Sequence, residues 1–268
     1  MIQNKYYVID AHCHIYPSKI ASLAIRHTDE FYSESSQGKG TTENLIESGV
    51  SAGIDKFLVQ SVATTPKQVR KINEFIASEV AKSNDRFIGL GALHPYSEDI
   101  KGDILHLLEL GLKGVKIHPD IQNVPVDNDG YKKAYEICTE LNVPILMHTG
   151  DYRYDNSNPN RLVPILNEFT SLTVIGAHFG GWSIWKDAVK AYSKFKNFYV
   201  DCSSTFHYLK KEEIKQLIDG YGTDKVLFAT DYPMWNASSE IETLLSLNLT
   251  EQDYKLIFSE NAKKVYKL

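Results

Sequence analysis

An α/β fold is expected of this sequence: a (β/α)₈ TIM barrel, with residues 1–268 forming one domain. Two features point there. The 268 residues are close to the ~250 of such a barrel. Short apolar runs rich in β-branched residues alternate with helix-period segments from end to end, the signature of repeated βα units around a parallel sheet. An open doubly wound sheet would share that alternation, but eight successive units favour closure. A chain of this size buries roughly 75% of its unfolded surface, so its core needs no disulfides.

The units follow one another along the chain. Tyr6 to His12 is the first apolar run. The long segment after it holds Phe31-Tyr32-Ser33-Glu34-Ser35-Ser36-Gln37-Gly38-Lys39-Gly40, a polar, glycine-containing stretch that is either a cover for a site or an ordinary surface insertion. Thr41-Thr42-Glu43 then starts a helix ahead of Leu45, Ile46 and Val50. The second strand is Asp55 to Ser61, after which Pro66 opens a helix with Val69, Ile72, Asn73 and Ile76 at half-buried spacing. Strands three to eight are Arg86 to His94, Leu112 to His118, Val143 to His148, Leu172 to His178, Phe198 to Ser203 and Lys225 to Asp231. The fifth is followed by the turn-rich Gly150-Asp151-Tyr152-Arg153-Tyr154-Asp155-Asn156-Ser157-Asn158-Pro159. No repeat, linker or low-complexity tract marks a second domain.

Composition narrows the partners. Twenty-nine basic against thirty-four acidic residues give a formal charge of −5, which offers no broad basic surface, so nucleic acid is not expected as a partner. Cys13, Cys138 and Cys202 are an odd, sparse set that suits a reducing compartment, and the cytoplasm is the expected location. The opening Met1-Ile2-Gln3-Asn4-Lys5-Tyr6 has no basic region followed by an apolar run, and no stretch approaches the ~20 apolar residues of a membrane span. Neither export nor membrane association is expected.

Five of the nine histidines, His12, His94, His118, His148 and His178, stand where an apolar strand gives way to a turn, and His14 lies just beyond one. In a barrel all such strand ends open on one face, where the βα loops build the site. Alternate residues of a strand share a face and stand ~6.6 Å apart along it, so His12 and His14 can reach a common metal while Cys13 points away. Neutral imidazole is a preferred zinc ligand, and a catalytic site needs about three protein ligands plus an open position. The remaining ligands must come from elsewhere. By the same alternation Pro144, Leu146 and His148 share one face of strand five, Val174, Gly176 and His178 one face of strand six, and Leu227, Ala229 and Asp231 one face of strand eight. Asp10 shares the face of His12 and His14 and is expected to accept a hydrogen bond behind them. Two histidines on strand one, one ending each of strands five and six, and an aspartate ending strand eight point to a metal centre.

The set Asp10-Ala11-His12-Cys13-His14, Gly114-Val115-Lys116-Ile117-His118-Pro119, Met147-His148-Thr149-Gly150, Ala177-His178-Phe179-Gly180-Gly181 and Thr230-Asp231-Tyr232-Pro233 resembles the amidohydrolase superfamily. It is most similar to the small-barrel branch that includes aminocarboxymuconate semialdehyde decarboxylase and related hydrolases, decarboxylases and hydratases. The likeness runs from Asp10 to Asn261-Ala262-Lys263-Lys264-Val265-Tyr266. It implies that His12, His14, His148 and Asp231 hold one metal and that His178 is the acid/base or polarising group beside it. Barrels of this branch often pair as homodimers, although no interface can be picked out of the sequence.

One divalent ion is therefore expected, Zn²⁺ first and Mn²⁺ second. Such an ion lowers the pKa of bound water to ~7, Asp231 is placed to take its proton, and His178 to stabilise the developing charge. The leading expectation is thus a hydrolase acting on an amide, ester or lactone of a small anionic molecule. The alternative is non-oxidative decarboxylation, or hydration, of a small unsaturated or aromatic carboxylic acid. A catalytically silent metal- or ligand-binding barrel is the third reading, and a barrel-type metal-dependent deoxyribonuclease is disfavoured by charge and by Lys116 standing where a bridging carboxylate would be. Lys116 is expected as a buried cation or substrate contact, although other branches carboxylate such a lysine to bridge two metals. His118 is expected at the rim, where it could touch substrate. Arg153 could clamp a substrate carboxylate or pair with Asp151 or Asp155 instead. Trp182 could supply an apolar wall.

Overall fold

The computed structural model describes residues 5–268, so residues 1–4, part of the opening stretch that carries no export pattern, lie outside it. Its strands are β1 (Ile9–His14), β2 (Lys56–Gln60), β3 (Phe87–Gly89), β4 (Gly91–Ala92), β5 (Val115–Ile117), β6 (Ile145–Met147), β7 (Val174–Gly176), β8 (Phe198–Asp201) and β9 (Val226–Leu227). Every pairing between them is parallel. β3 and β4 are the two halves of the third barrel strand, parted at Leu90. There the ladder changes partner: Leu90 N–H donates to Val59 O at 2.9 Å, and Gly91 N–H to Gly114 O at 2.9 Å. The cylinder closes where Ala11 N–H donates to Phe228 O (2.9 Å) and His14 N–H to Tyr232 O (2.6 Å). A TIM barrel results, as the alternation of units requires.

Around it run α1 (Ala21–Tyr32), α2 (Thr42–Ala52), α3 (Val69–Lys82), α4 (Ile100–Glu109), α5 (Pro119–Gln122), α6 (Asp129–Glu140), α7 (Pro159–Glu168), α8 (Trp185–Tyr192), α9 (Lys211–Tyr221), α10 (Ala237–Leu245), α11 (Glu251–Lys255) and α12 (Asn261–Tyr266). Among the described residues no helix is long and apolar enough to cross a membrane. Thr41 caps α2 by accepting from Asn44 N–H, and α3 buries Val69, Asn73 and Ile76, as their spacing requires. The barrel interior is filled by Ile9, Ala11, Leu58, Leu90, Leu146, Ile175, Ala177, Leu227 and Ala229, joined by Ala262, Val265 and Tyr266 of α12. Outward-facing Val115, Ile117, Ile145, Met147 and Val174 pack against the helices in a second layer. The main cavity opens at the strand C-terminal ends.

Two departures from strict alternation bear on that open end. The register of β1 against β2 slips between Asp10 and Cys13, a bulge that reverses which face each residue presents. Asp10 therefore turns outward, away from the imidazole pair it was expected to join. It accepts instead from Thr230 Oγ1 (2.6 Å), Thr230 N–H (3.0 Å) and His12 N–H (3.2 Å), which fastens strand one to strand eight. On strand six Val174 faces the helices while Ile175 and Ala177 face the interior, the reverse of the expected set. His178 reaches the mouth because it and Phe179 take left-handed backbone, with φ of 61° and 51°.

The long insertion after β1 carries α1 across the open end. The stretch behind α1 is fastened to the eighth-strand loop, where Pro233 O accepts from Gln37 N–H (3.0 Å) and Gly38 N–H (2.9 Å). This segment is a cover over the barrel mouth.

Candidate metal centre at the barrel mouth

Three donor atoms converge from the two strands that close the cylinder. His12 Nε2 lies 3.1 Å from His14 Nε2 and 3.3 Å from Asp231 Oδ1, and His14 Nε2 lies 3.6 Å from the same oxygen. The other nitrogen of His12, Nδ1, donates to Oδ2 of the fully buried Asp201 at 2.9 Å. That bond places the ring proton on Nδ1 and leaves the Nε2 lone pair aimed at the cluster. Burial, with Lys116 and neighbouring imidazoles adding to it at His14, holds both rings well below the ordinary imidazole range, so both are neutral. Two neutral imidazoles and one carboxylate packed this closely suit a Zn²⁺ or Mn²⁺ ion. The partnerless buried His14 Nδ1 adds no competing bond. The donor set therefore fits a divalent cation.

Asp231 is steered from behind. Its Oδ2 accepts from Ser204 Oγ at 2.6 Å, and that hydroxyl in turn accepts from Trp235 Nε1 at 2.8 Å. Burial pushes the carboxyl up to about 7. Lys116 is buried on the floor with Nζ 3.0 Å from His12 Nε2; burial pushes it down to about 8, with Asp231 and Asp201 opposing.

His148 and His178 form the adjoining wall. His178 Nδ1 is bound to Ser203 Oγ at 2.9 Å, its N–H donates to Asp201 Oδ1 at 3.1 Å, and its Nε2 lies 3.1 Å from His148 Nδ1. Burial lowers His178 to about 3, with Asp201 opposing. His148 is thus not one of the three clustered donors, but stands next to them through His178, whose ring stacks on that of His12. The far nitrogen of His148, Nε2, has no hydrogen-bond partner among the described residues and faces Asp120 Oδ2 at 3.6 Å. His118, Asp120 and His148 form a second group of close donors. The His118 and His148 rings, however, are stacked 3.9 Å apart and within 7° of parallel. Lone pairs lying in parallel ring planes cannot be aimed at one ion, so this group serves to orient His148.

Sequence reasoning missed Tyr32, Asp120 and Asp201. Asp201 had a signal, a carboxylate at the end of strand seven. Tyr32 had none of its own, because it is brought in by α1: its hydroxyl bonds His118 Nε2 at 2.7 Å and lies 3.5 Å from His148 Nδ1. Of the two roles expected of Arg153, a substrate clamp or a pair with Asp151 or Asp155, the pairing with Asp151 is the one formed. Arg153 Nε and Nη2 are engaged by the buried Asp151 (3.0 and 2.7 Å), and Nη1 donates to Phe31 O at the end of α1 (2.6 Å). The guanidinium lies against the rings of Phe31, Tyr32, Tyr154 and Trp182. Arg153 is a latch on the covering helix, with no fork left for a substrate. Trp182 packs edge-on against Tyr32 and backs that ring instead of walling the main cavity.

That cavity measures about 710 Å³ and has His12, His14, Lys116, His148, His178 and Asp231 on its floor, with His118 and Tyr32 beside them. Its walls are mainly apolar and come from α1, α3 and Met234.

A parallel barrel with an imidazole–carboxylate cluster at its mouth defines a metal-ready barrel enzyme scaffold. Residues 9–268 match the family Amidohydro_2, described as amidohydrolase, and the chain belongs to that family. It is 24% identical over 253 residues to gamma-resorcylate decarboxylase of Rhodococcus jostii (strain RHA1), covering 74% of this chain and 76% of that protein. A shorter match, 28% over 115 residues, joins it to 2-amino-3-carboxymuconate-6-semialdehyde decarboxylase of Dictyostelium discoideum, covering 41% of this chain and 32% of that one. Among solved structures it superimposes on 5-carboxyvanillate decarboxylase of Novosphingobium aromaticivorans, crystallised with manganese, with a TM-score of 0.77, 18% identity, and 98% and 97% of the two chains covered. The expected superfamily and branch are those of these relatives.

Proposed function

We propose that the protein is a metal-dependent decarboxylase acting on a small aromatic carboxylic acid. This places the alternative expectation above hydrolysis. The observation that carries it is a buried cationic and imidazole floor under an apolar, helix-covered cavity. Such a site takes an aromatic anion out of water, with its carboxylate against the cationic floor and its ring against the apolar walls. That the curated relatives are decarboxylases supports the same choice.

His12, His14 and Asp231 would hold the ion, with His148 as the further ligand implied by the resemblance. Mn²⁺, present in the carboxyvanillate decarboxylase crystals, is preferred over Zn²⁺ for a first trial. When bound, the ion supplies a Lewis acid that anchors and polarises an oxygen of the acid. Lys116 Nζ adds a positive charge against the carboxylate. Tyr32 and the Arg153 latch hold α1 across the mouth and limit water. His178 Nε2, whose lone pair faces the site because Nδ1 is tied to Ser203, is the atom placed to take up a proton from solvent and pass it to the ring carbon. In the balance a ring–carboxylate bond breaks, a C–H bond forms and CO₂ leaves.

The test is Mn²⁺-loaded protein with 2,6-dihydroxybenzoate and 5-carboxyvanillate, scored for CO₂, beside a lactone and an N-acyl amino acid scored for hydrolysis. CO₂ release that is lost in His178→Asn, with metal content kept, is expected. Hydrolysis without CO₂ from either acid would overturn the proposal.

A further inference from the structure

We infer that the acid carries an apolar body larger than one ring, with its carboxylate on the floor and its apolar end between α1 and α3. The inference rests on the acid-binding reading above and names the substrate class. The cavity of about 710 Å³ falls in the range that encloses ligands of drug size, ~300–1,000 Å³. A single hydroxylated benzoate seated on the floor would leave its upper half to water.

What lines that upper half is telling. Ile20, Leu23 and Ala24, at the start of α1, face Ile72 and Phe75 of α3 across the space. The helices thus present apolar faces to an opening instead of to each other. Ile20 and Leu23 are 48% and 44% exposed, so a ligand that covers them would remove that apolar area from water. The buried Lys116 and most of the imidazoles are at the floor, while His27 and Thr28 of α1 and Gln68 and Lys71 on the α3 side are polar groups that edge the apolar upper half. An amphipathic acid with its anion inward and a hydrocarbon or second ring outward fits both ends.

The probes are 4-alkylbenzoates from methyl to hexyl, titrated calorimetrically into Mn²⁺-equilibrated protein. Each methylene should tighten binding about three- to four-fold until the cavity is full. Ala24→Trp, on the wall and away from the floor, should flatten the series while leaving the methyl compound within about two-fold. A flat series in the unaltered protein, no binding by any member, or an unchanged slope in Ala24→Trp would overturn the inference. The CO₂ assay fails independently. Tightening with chain length but no CO₂ from 2,6-dihydroxybenzoate or from its 4-hexyl derivative supports this inference and sinks decarboxylation. CO₂ from 2,6-dihydroxybenzoate with a flat series does the reverse.

Discussion

Asp201→Asn tests how the cluster is prepared for an ion. The carboxylate accepts on Oδ1 from His178 N–H (3.1 Å), Ser203 N–H (3.1 Å) and Ser203 Oγ (2.5 Å), and on Oδ2 from His12 Nδ1 (2.9 Å). An asparagine keeps its carbonyl toward the three donors and turns its NH₂ on His12. His12 must then accept at Nδ1 and carry its proton on Nε2, the atom aimed at His14 and Asp231. A protonated nitrogen cannot ligate, and loss of such a supporting carboxylate costs about 10–100-fold in metal affinity, or ~1.4–2.7 kcal/mol. Calorimetric titration with Mn²⁺ should show that loss. Circular dichroism and melting without metal establish that the variant folds. The thermal stabilisation given by a fixed excess of Mn²⁺ should shrink in step with affinity. A folded Asp201→Asn protein with unchanged Mn²⁺ affinity would refute the tautomer assignment.

Other expectations follow from the same contacts. Arg153→Ala leaves Asp151 buried without its partner, and breaking a buried pair costs ~3–5 kcal/mol. Because Arg153 is 24% exposed, the low end is expected, a fall in Tm of roughly 6–12 °C; an unchanged melt would contradict the latch. Gly150 has φ +79°, and a Cβ there would meet Gly181 Cα at 2.5 Å. Gly150→Ala should therefore part the loops after strands five and six, lowering Tm and activity together, and wild-type values for both would contradict the close approach. Glu240 of α10 is buried with Oε2 unpartnered, and burial, aided by Asp10 and Asp231, pushes its carboxyl up to about 8. The folded state then binds an extra proton between about pH 4.5 and 8, so stability falls as pH rises through that window. Glu240→Gln should remove this slope, on the order of 2 kcal/mol between pH 6 and 8, and equal pH dependence of melting in both proteins would count against it.

Much of this was legible in the sequence because a barrel turns linear order into spatial address. The apolar runs ending at His12, His148 and Asp231 marked strand ends, and parallel closure necessarily brings those ends to one face. What was not legible arose where a single residue changes phase or where contacts span the chain. The bulge after Asp10 reverses the face of one side chain without any local composition cue. His178 enters the mouth through left-handed backbone that a period-two pattern does not foresee. Arg153 sits in a turn-rich loop beside its expected partner Asp151, but Phe31 O joins it only when the covering helix docks. Tyr32 is hidden for the same reason, since nothing near it in sequence announces His118.

The most direct test is diffraction from crystals grown with Mn²⁺, with data collected at the manganese absorption edge. A single strong anomalous peak within bonding distance of His12 Nε2, His14 Nε2 and Asp231 is the result expected. A peak seated instead between His118 and Asp120, or a mouth without one at saturating Mn²⁺, would contradict it.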